Sequence, residues 1–156
     1  MKTMFVALLT ALVLQAAPAT AGSPLVGRWA LDLATLPMPP EARPQRVTME
    51  FAQPDAGTWR THIEIVDPNG GTMESDATLA LDGTPGSITG SYWADVGTAK
   101  MPAPNVVVLQ LAYQGTPSST RIYSVTEDGS TLTETKAAFR KDGTPFLQTT
   151  TFTRLP

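Results

Sequence analysis

Short runs of alternating hydrophobic and polar residues follow one another along most of the chain, with turn-forming residues between them. In one such run Trp59, Ile63 and Ile65 alternate with Arg60 and His62. A period of two places successive side chains on opposite faces of a β-strand, and no segment has the period of an amphipathic helix. The pattern therefore predicts an all-β protein of about eight to ten strands in antiparallel up-and-down order.

The two ends of this pattern predict how the sheet is closed. Residues 25–33 read as the opening strand, and residues 151–154 end the closing one. If the last strand pairs with the first, the sheet becomes a barrel and has no exposed edge on which other chains could aggregate. We therefore predict a closed β-barrel, with an open sandwich as the structural alternative.

Several landmarks resemble one known family of barrels. They are the opening Gly27-Arg28-Trp29, the proline-rich segment 34–44, the turn 82–83, the segment 124–133 and the turn 142–145. In order and spacing they are similar to small exported bacterial lipocalin-like proteins, which are calycin-type β-barrels. The resemblance implies that Gly27, Trp29 and Arg154 close one end of the barrel, with Arg154 over the Trp29 face. The second lipocalin motif, Thr-Asp-x-x-Tyr, has no clear counterpart.

Two proline-containing segments are predicted to be connections. Segment 34–44 holds four prolines, which lack a backbone donor and restrict the preceding residue. We predict that it crosses an end of the barrel, where Leu36 and Met38 would act as a plug; a surface loop is the alternative. Segment 94–105 is predicted to be a longer connection that covers the apolar strand 106–114.

The first 21 residues have the features of a secretory signal peptide. Lys2 precedes the apolar run 4–14, and Ala19-Thr20-Ala21 forms a cleavage site of small residues. This predicts a single mature domain, 22–156, exported to the bacterial periplasm or the extracellular space. The apolar run is shorter than the roughly 20 residues that span a membrane. Because the chain has no Cys, neither disulfides nor a lipid-anchoring Cys is expected.

Charge and composition limit the classes of partner and of chemistry. The mature chain has ten basic and fourteen acidic residues and no basic stripe, which disfavours nucleic acid as a partner. His62 is the only histidine, too few for a zinc site, and no serine nucleophile motif is present. If Trp59 faces inward, His62 and Glu64 lie on the solvent side. We therefore assign no catalytic residue, no metal and no cofactor.

The apolar strand faces predict an interior that binds a small lipophilic molecule. A barrel of about eight strands is just wide enough to fill itself or to hold one small ligand. Small or polar side chains such as Thr61 and Ser75 on the same faces would leave space and supply hydrogen bonds. The candidate ligand-binding residues are Met49, Phe51, Trp59, Thr61, Ile63, Ser75, Tyr92, Leu109, Leu111 and Tyr113.

Two further functional hypotheses stay open beside ligand binding. One is an envelope protein that interacts with other proteins, or has a structural role, through its outer surface. The other is an enzyme with its site in the barrel mouth, for which His62, Glu64, Tyr92 and Asp95 are the candidate groups. The enzyme hypothesis requires that His62 face a cavity.

Export is tested by the mass of the mature protein. When the full sequence is expressed in a bacterial host, we expect the periplasmic fraction to contain a chain that begins at Gly22. Intact-mass spectrometry checks this. Full-length protein confined to the cytoplasm would contradict the prediction.

Overall fold

The computed structural model describes residues 22–156, so the expected signal peptide at 1–21 lies outside the described residues. Ten strands and two short 3₁₀ turns, Leu33–Thr35 and Pro40–Ala42, make up the regular structure. The strands are β1 (Gly27–Leu31), β2 (Arg46–Asp55), β3 (Thr58–Val66), β4 (Thr72–Ala80), β5 (Gly86–Thr89), β6 (Val96–Ala103), β7 (Val106–Tyr113), β8 (Thr116–Val125), β9 (Thr131–Phe139) and β10 (Pro145–Arg154).

Each strand pairs with its neighbours in sequence, and β1 also pairs with β10, which closes the barrel. Trp29 on β1 lies opposite Met49 of β2 on one side and Arg154 of β10 on the other. The predicted all-β, antiparallel up-and-down barrel is therefore confirmed. Within residues 22–156, no helix is both long and apolar enough to cross a membrane.

Arg154 holds together the end of the barrel where the chain termini meet. Its guanidinium lies 4.1 Å from the centre of the Trp29 ring. Nε donates to the Gly129 carbonyl at 2.7 Å, and Nη1 donates to the Val26 carbonyl at 2.9 Å. One side chain thus links the N-terminal segment, the β8–β9 turn and the last strand.

Gly27 makes room for that arginine. Its φ of +135° is in the region that favours glycine, and a Cβ at this position would lie 2.5 Å from Arg154 Nη1. Trp29 is fully buried beneath the guanidinium, and its Nε1 donates to the Leu25 carbonyl at 2.9 Å. The indole is therefore held by a hydrogen bond at its N–H and by the guanidinium over its ring face.

Aromatic side chains fill the interior next to this closed end. The Phe51 ring lies 5.0 Å from Trp59 and 5.1 Å from Tyr123, centre to centre, and all three side chains are fully buried. Such tilted and edge-to-face pairs pack densely and add to the stability gained by burial. This half of the barrel is a solid core.

The structure corrects the expectation for segment 94–105. Most of it is strand β6, which pairs with β7, rather than a connection that covers β7 from outside. Gly97 and Ala99 face the interior, and both are small. The ladder shifts register between Lys100 and Ala103, and this irregularity accommodates Pro102, which has no N–H to donate.

The structure also changes the assignment of the residues after Ile88. Strand β5 has only four residues and ends at Thr89, so Tyr92 lies in a loop, 71% exposed, rather than on an inward strand face. Gly90 ends the strand with a φ of +74°, and a Cβ there would lie 1.9 Å from the Glu74 carbonyl oxygen. Only glycine allows the loop to pass this close to β4.

Gly90→Ala and Gly115→Ala form a matched pair, because the two glycines have φ values of +74° and +75°. No described atom outside its chain neighbours lies within 4 Å of a Cβ at Gly115. We expect Gly115→Ala to cost about 1 kcal/mol of stability through φ alone. Gly90→Ala should cost about 3 kcal/mol or more, because the backbone must also move. Urea unfolding measures both, and equal costs would contradict the close approach to β4.

Candidate functional site

A cavity of about 370 Å³ lies at the end of the barrel away from Arg154. Volumes of about 300–1,000 Å³ are usual for small-molecule sites. The segment 32–45, the β3–β4 turn and the loop 90–95 border it. Its apolar wall comes mainly from β1, β2, β3 and the proline-rich segment. The side chains of that wall include Leu31, Leu36, Met38, Val47, Met49, Ile63, Ile65 and Phe152.

The proline-rich segment lies across this end of the barrel, and Leu36, Met38 and Pro44 line the cavity. Its fold is set by local hydrogen bonds. Asp32 Oδ1 accepts from the Ala34 N–H at 3.0 Å and begins the first 3₁₀ turn. Arg43 Nε donates to the Met38 carbonyl at 3.0 Å. These bonds position the apolar side chains over the interior.

The opposite wall of the cavity is polar and comes from three neighbouring strands. Directly paired residues of β8, β9 and β10 place six side chains in two rows, all of them lining the cavity. The first row is Arg121, Lys136 and Gln148, and the second is Tyr123, Glu134 and Thr150. The cavity is therefore amphipathic, with one apolar and one polar side.

An ion pair lies at the centre of the polar wall. Arg121 Nη1 donates to Glu134 Oε1 at 2.6 Å, and the two side chains are only 17% and 10% exposed. The Arg121 guanidinium also lies 5.9 Å from the centre of the Trp93 ring. Its Nε is buried and has no hydrogen-bond partner among the residues described.

Burial changes the acid–base properties of two neighbours of this pair. Burial raises the pKa of the Tyr123 phenol well above its ordinary value, and the nearby Glu134 carboxylate acts in the same direction. Tyr123 is therefore a neutral hydroxyl at physiological pH. Burial also lowers the pKa of Lys136, and the positive charge of Arg121 adds to this effect, while Glu134 opposes it.

The structure brings three of the ten predicted ligand-binding residues to the cavity: Met49, Ile63 and Tyr92. The others do not line it. Phe51, Trp59, Thr61, Ser75, Leu109 and Leu111 are buried elsewhere in the barrel interior, and Tyr113 lies half-buried at the end of β7. Thr61 Oγ1 is buried with no hydrogen-bond partner in the described part of the chain.

The polar wall was not predicted from the sequence. Arg121 and Tyr123 alternate with outward residues, so the period of two places them on one face. Glu134 and Lys136 share an inward face in the same way. One feature of the sequence could have indicated this wall: a charged residue two positions from a buried aromatic residue, as Arg121 is from Tyr123.

The residues considered for catalysis lie mostly outside the cavity. His62 is on the outer wall, where Nδ1 lies 3.0 Å from Asp76 Oδ1, and Glu64 pairs with Arg46 on the same surface. Asp95 accepts from the Gln114 N–H at 2.9 Å and does not line the cavity. The enzyme hypothesis thus loses its main support. In residues 22–156, no three metal-ligating side chains form a cluster.

Comparison with known proteins identifies the fold and no family. No family model matches the chain, and no curated protein matches it. Among solved structures it is similar to two mutants of the fluorescent protein UnaG. The first has a TM-score of 0.55 and 14% identity, covering 85% of this chain and 97% of that one. The second has a TM-score of 0.53 and 14% identity, covering 83% and 94%. The likeness concerns the fold alone.

The Arg121–Glu134 pair is tested by a double-mutant cycle. Removing one partner leaves the other charge buried, so Glu134→Leu should cost about 3 kcal/mol of unfolding free energy. Adding Arg121→Met should recover much of that loss. Urea unfolding measures each variant.

The exposed pair Arg46–Glu64 provides the control, because the Arg46 side chain is 59% exposed. Glu64→Leu should cost at most about 1 kcal/mol. Similar costs for Glu64→Leu and Glu134→Leu would show that the pair in the cavity is not effectively buried.

Proposed function

We propose that this protein is an exported, lipocalin-like barrel that binds one small lipophilic molecule in the cavity without transforming it. The single observation that carries the proposal is an apolar wall facing an unfilled space inside a closed barrel. Leu31, Val47, Met49, Ile63 and Ile65 line that space from three adjacent strands. A lipophilic molecule there would remove this apolar surface from water, which is worth about 25 cal/mol per Å².

The two ends of the barrel support the same interpretation. Trp29 and Arg154 close one end, so a ligand would enter from the other. There Leu36 and Met38 lie over the cavity on a segment that is not part of a strand, which gives a natural entrance. Because His62 and Glu64 lie on the outer wall, the geometry favours binding over catalysis in the mouth.

Family and location are parts of the proposal that rest on sequence. The Gly27-Arg28-Trp29 opening and its partner Arg154 support membership of the small exported bacterial lipocalin-like proteins. The signal-peptide pattern of residues 1–21 supports export to the periplasm or the extracellular space.

A second candidate is the interaction module, and one observation favours it. Phe139 and Leu147, on the paired strands β9 and β10, are 72% and 74% exposed. Exposed apolar side chains that lie close together mark surfaces where partners bind. This role would use the outside of the barrel and is compatible with a ligand inside.

Ligand binding is tested with the neutral dye Nile red and its displacement by linear alcohols. Each CH₂ added between octanol and decanol should tighten binding about fourfold while the tail still contacts the apolar wall. The dye's fluorescence measures the competition with the mature chain.

Two tryptophan substitutions on β2 make the test specific to the cavity. Val47→Trp places a large side chain inside it and should weaken decanol binding by about tenfold or more. Thr48→Trp, one residue along on the outer face, should leave binding unchanged. Binding that is equally strong in both variants, or absent from the unmodified chain, would contradict the proposal.

A further inference from the structure

We propose that the ligand is an amphipathic monoanion, with a carboxylate-type head held at Lys136 and Arg121 and an apolar tail against β1, β2 and β3. This inference rests on the proposed binding function and adds the chemical class of the ligand. It depends on the excess positive charge of the polar wall, on a buried donor that has no partner among the described residues and on the placement of the two walls.

The charges on the polar wall of the cavity do not cancel. Arg121 is paired with Glu134 at 2.6 Å, but Lys136 makes no ion pair with any described residue. Its Nζ lies 5.7 Å from the centre of the Phe146 ring, which is a weak partner for a cation. The polar wall therefore carries one positive charge more than it carries negative ones.

One further carboxylate lines the cavity but does not neutralise Lys136. Asp67 is exposed at the rim, in the β3–β4 turn on the far side of the barrel. Its Oδ1 accepts from the N–H groups of Asn69 and Gly71, at 2.7 Å and 3.0 Å. The Asp67 carboxylate therefore stabilises the turn, and the positive charge of Lys136 on β9 is not neutralised.

The polar wall also holds donors suited to an anion. Arg121 Nε is buried and has no hydrogen-bond partner in residues 22–156, although each unmet buried donor is unfavourable. Tyr123 is a neutral hydroxyl, and Gln148 is in register beside Lys136. Hydrogen bonds to a charged acceptor are about twice as strong as neutral ones, so a carboxylate would gain most here.

The lowered pKa of Lys136 agrees with the position of its amine on the polar wall, close to a second cation. Burial and the charge of Arg121 both disfavour the protonated amine. A negative group bound beside it would offset both effects. The apolar wall across the cavity would accept the tail, so that head and tail each meet a matching surface.

The experiment compares decanoate with decanol, which have the same chain length, by displacement of Nile red at neutral pH. We expect the unmodified protein to bind decanoate about tenfold more tightly than decanol. Lys136→Met should abolish this preference, since the charge contact with the head group is lost. Lys136→Arg should keep the preference.

Lys141→Met is the matched control. Lys141 lies exposed in the β9–β10 turn at the same end of the barrel, and its loss changes the net charge equally. The preference for decanoate should survive in this variant. The urea midpoint of each variant verifies that it folds.

The outcomes separate the two proposals. If decanol binds but decanoate is not preferred, or if Lys136→Met keeps the preference, the anion site is overturned and the lipophilic cavity stands. If neither compound displaces the dye and the dye itself does not bind, both proposals fail.

Discussion

Pairing of the first strand with the last is the constraint on which the rest of the structure depends. It turns an antiparallel meander into a closed barrel and gives every inward side chain a shared interior. Arg154 reinforces this closure by covering Trp29 and bonding to Gly129 and Val26. The contact needs glycine at position 27, because any Cβ there would collide with the guanidinium. Arg154 thus links the first and last strands and closes this end of the barrel.

Once the barrel is closed, the volume of the inward side chains decides what the interior can do. Near Arg154 the rings of Phe51, Trp59 and Tyr123 fill it. Further along the same strands, inward residues such as Val47 and Ile65 are smaller and leave the cavity. The same barrel therefore has a solid core at one end and the cavity that we propose as the binding site at the other. The proposed function follows from this uneven filling rather than from the fold itself.

The strand pattern could be predicted from sequence because alternation and turn residues act locally. Strand β6 could not, since the glycine, alanine and proline at positions 97, 99 and 102 weaken the alternation signal, and pairing with β7 overrides it. The cavity was predicted only in part, through Met49 and Ile63 on the strands and Leu36 and Met38 on the proline-rich segment. Tyr92 lines it from a loop and not from the predicted strand face. Alternation shows which face is inward, but it does not show how far the facing side chains fill the space between strands that are distant in sequence. The inward Arg121 and its partner Glu134 on β9 were not predicted, although the position of Arg121 two residues before Tyr123 was a signal for them.

The central claim is that the unfilled end of the barrel is the binding site, and intermolecular NMR contacts test it most directly. With labelled protein and decanol, we predict nuclear Overhauser effects from the alkyl chain to the methyl groups of Leu36, Ile63 and Ile65. The methyl groups of Leu79, in the filled half, should show none. Contacts only to the exposed Leu147 on the outer wall would contradict the claim and favour a surface interaction instead.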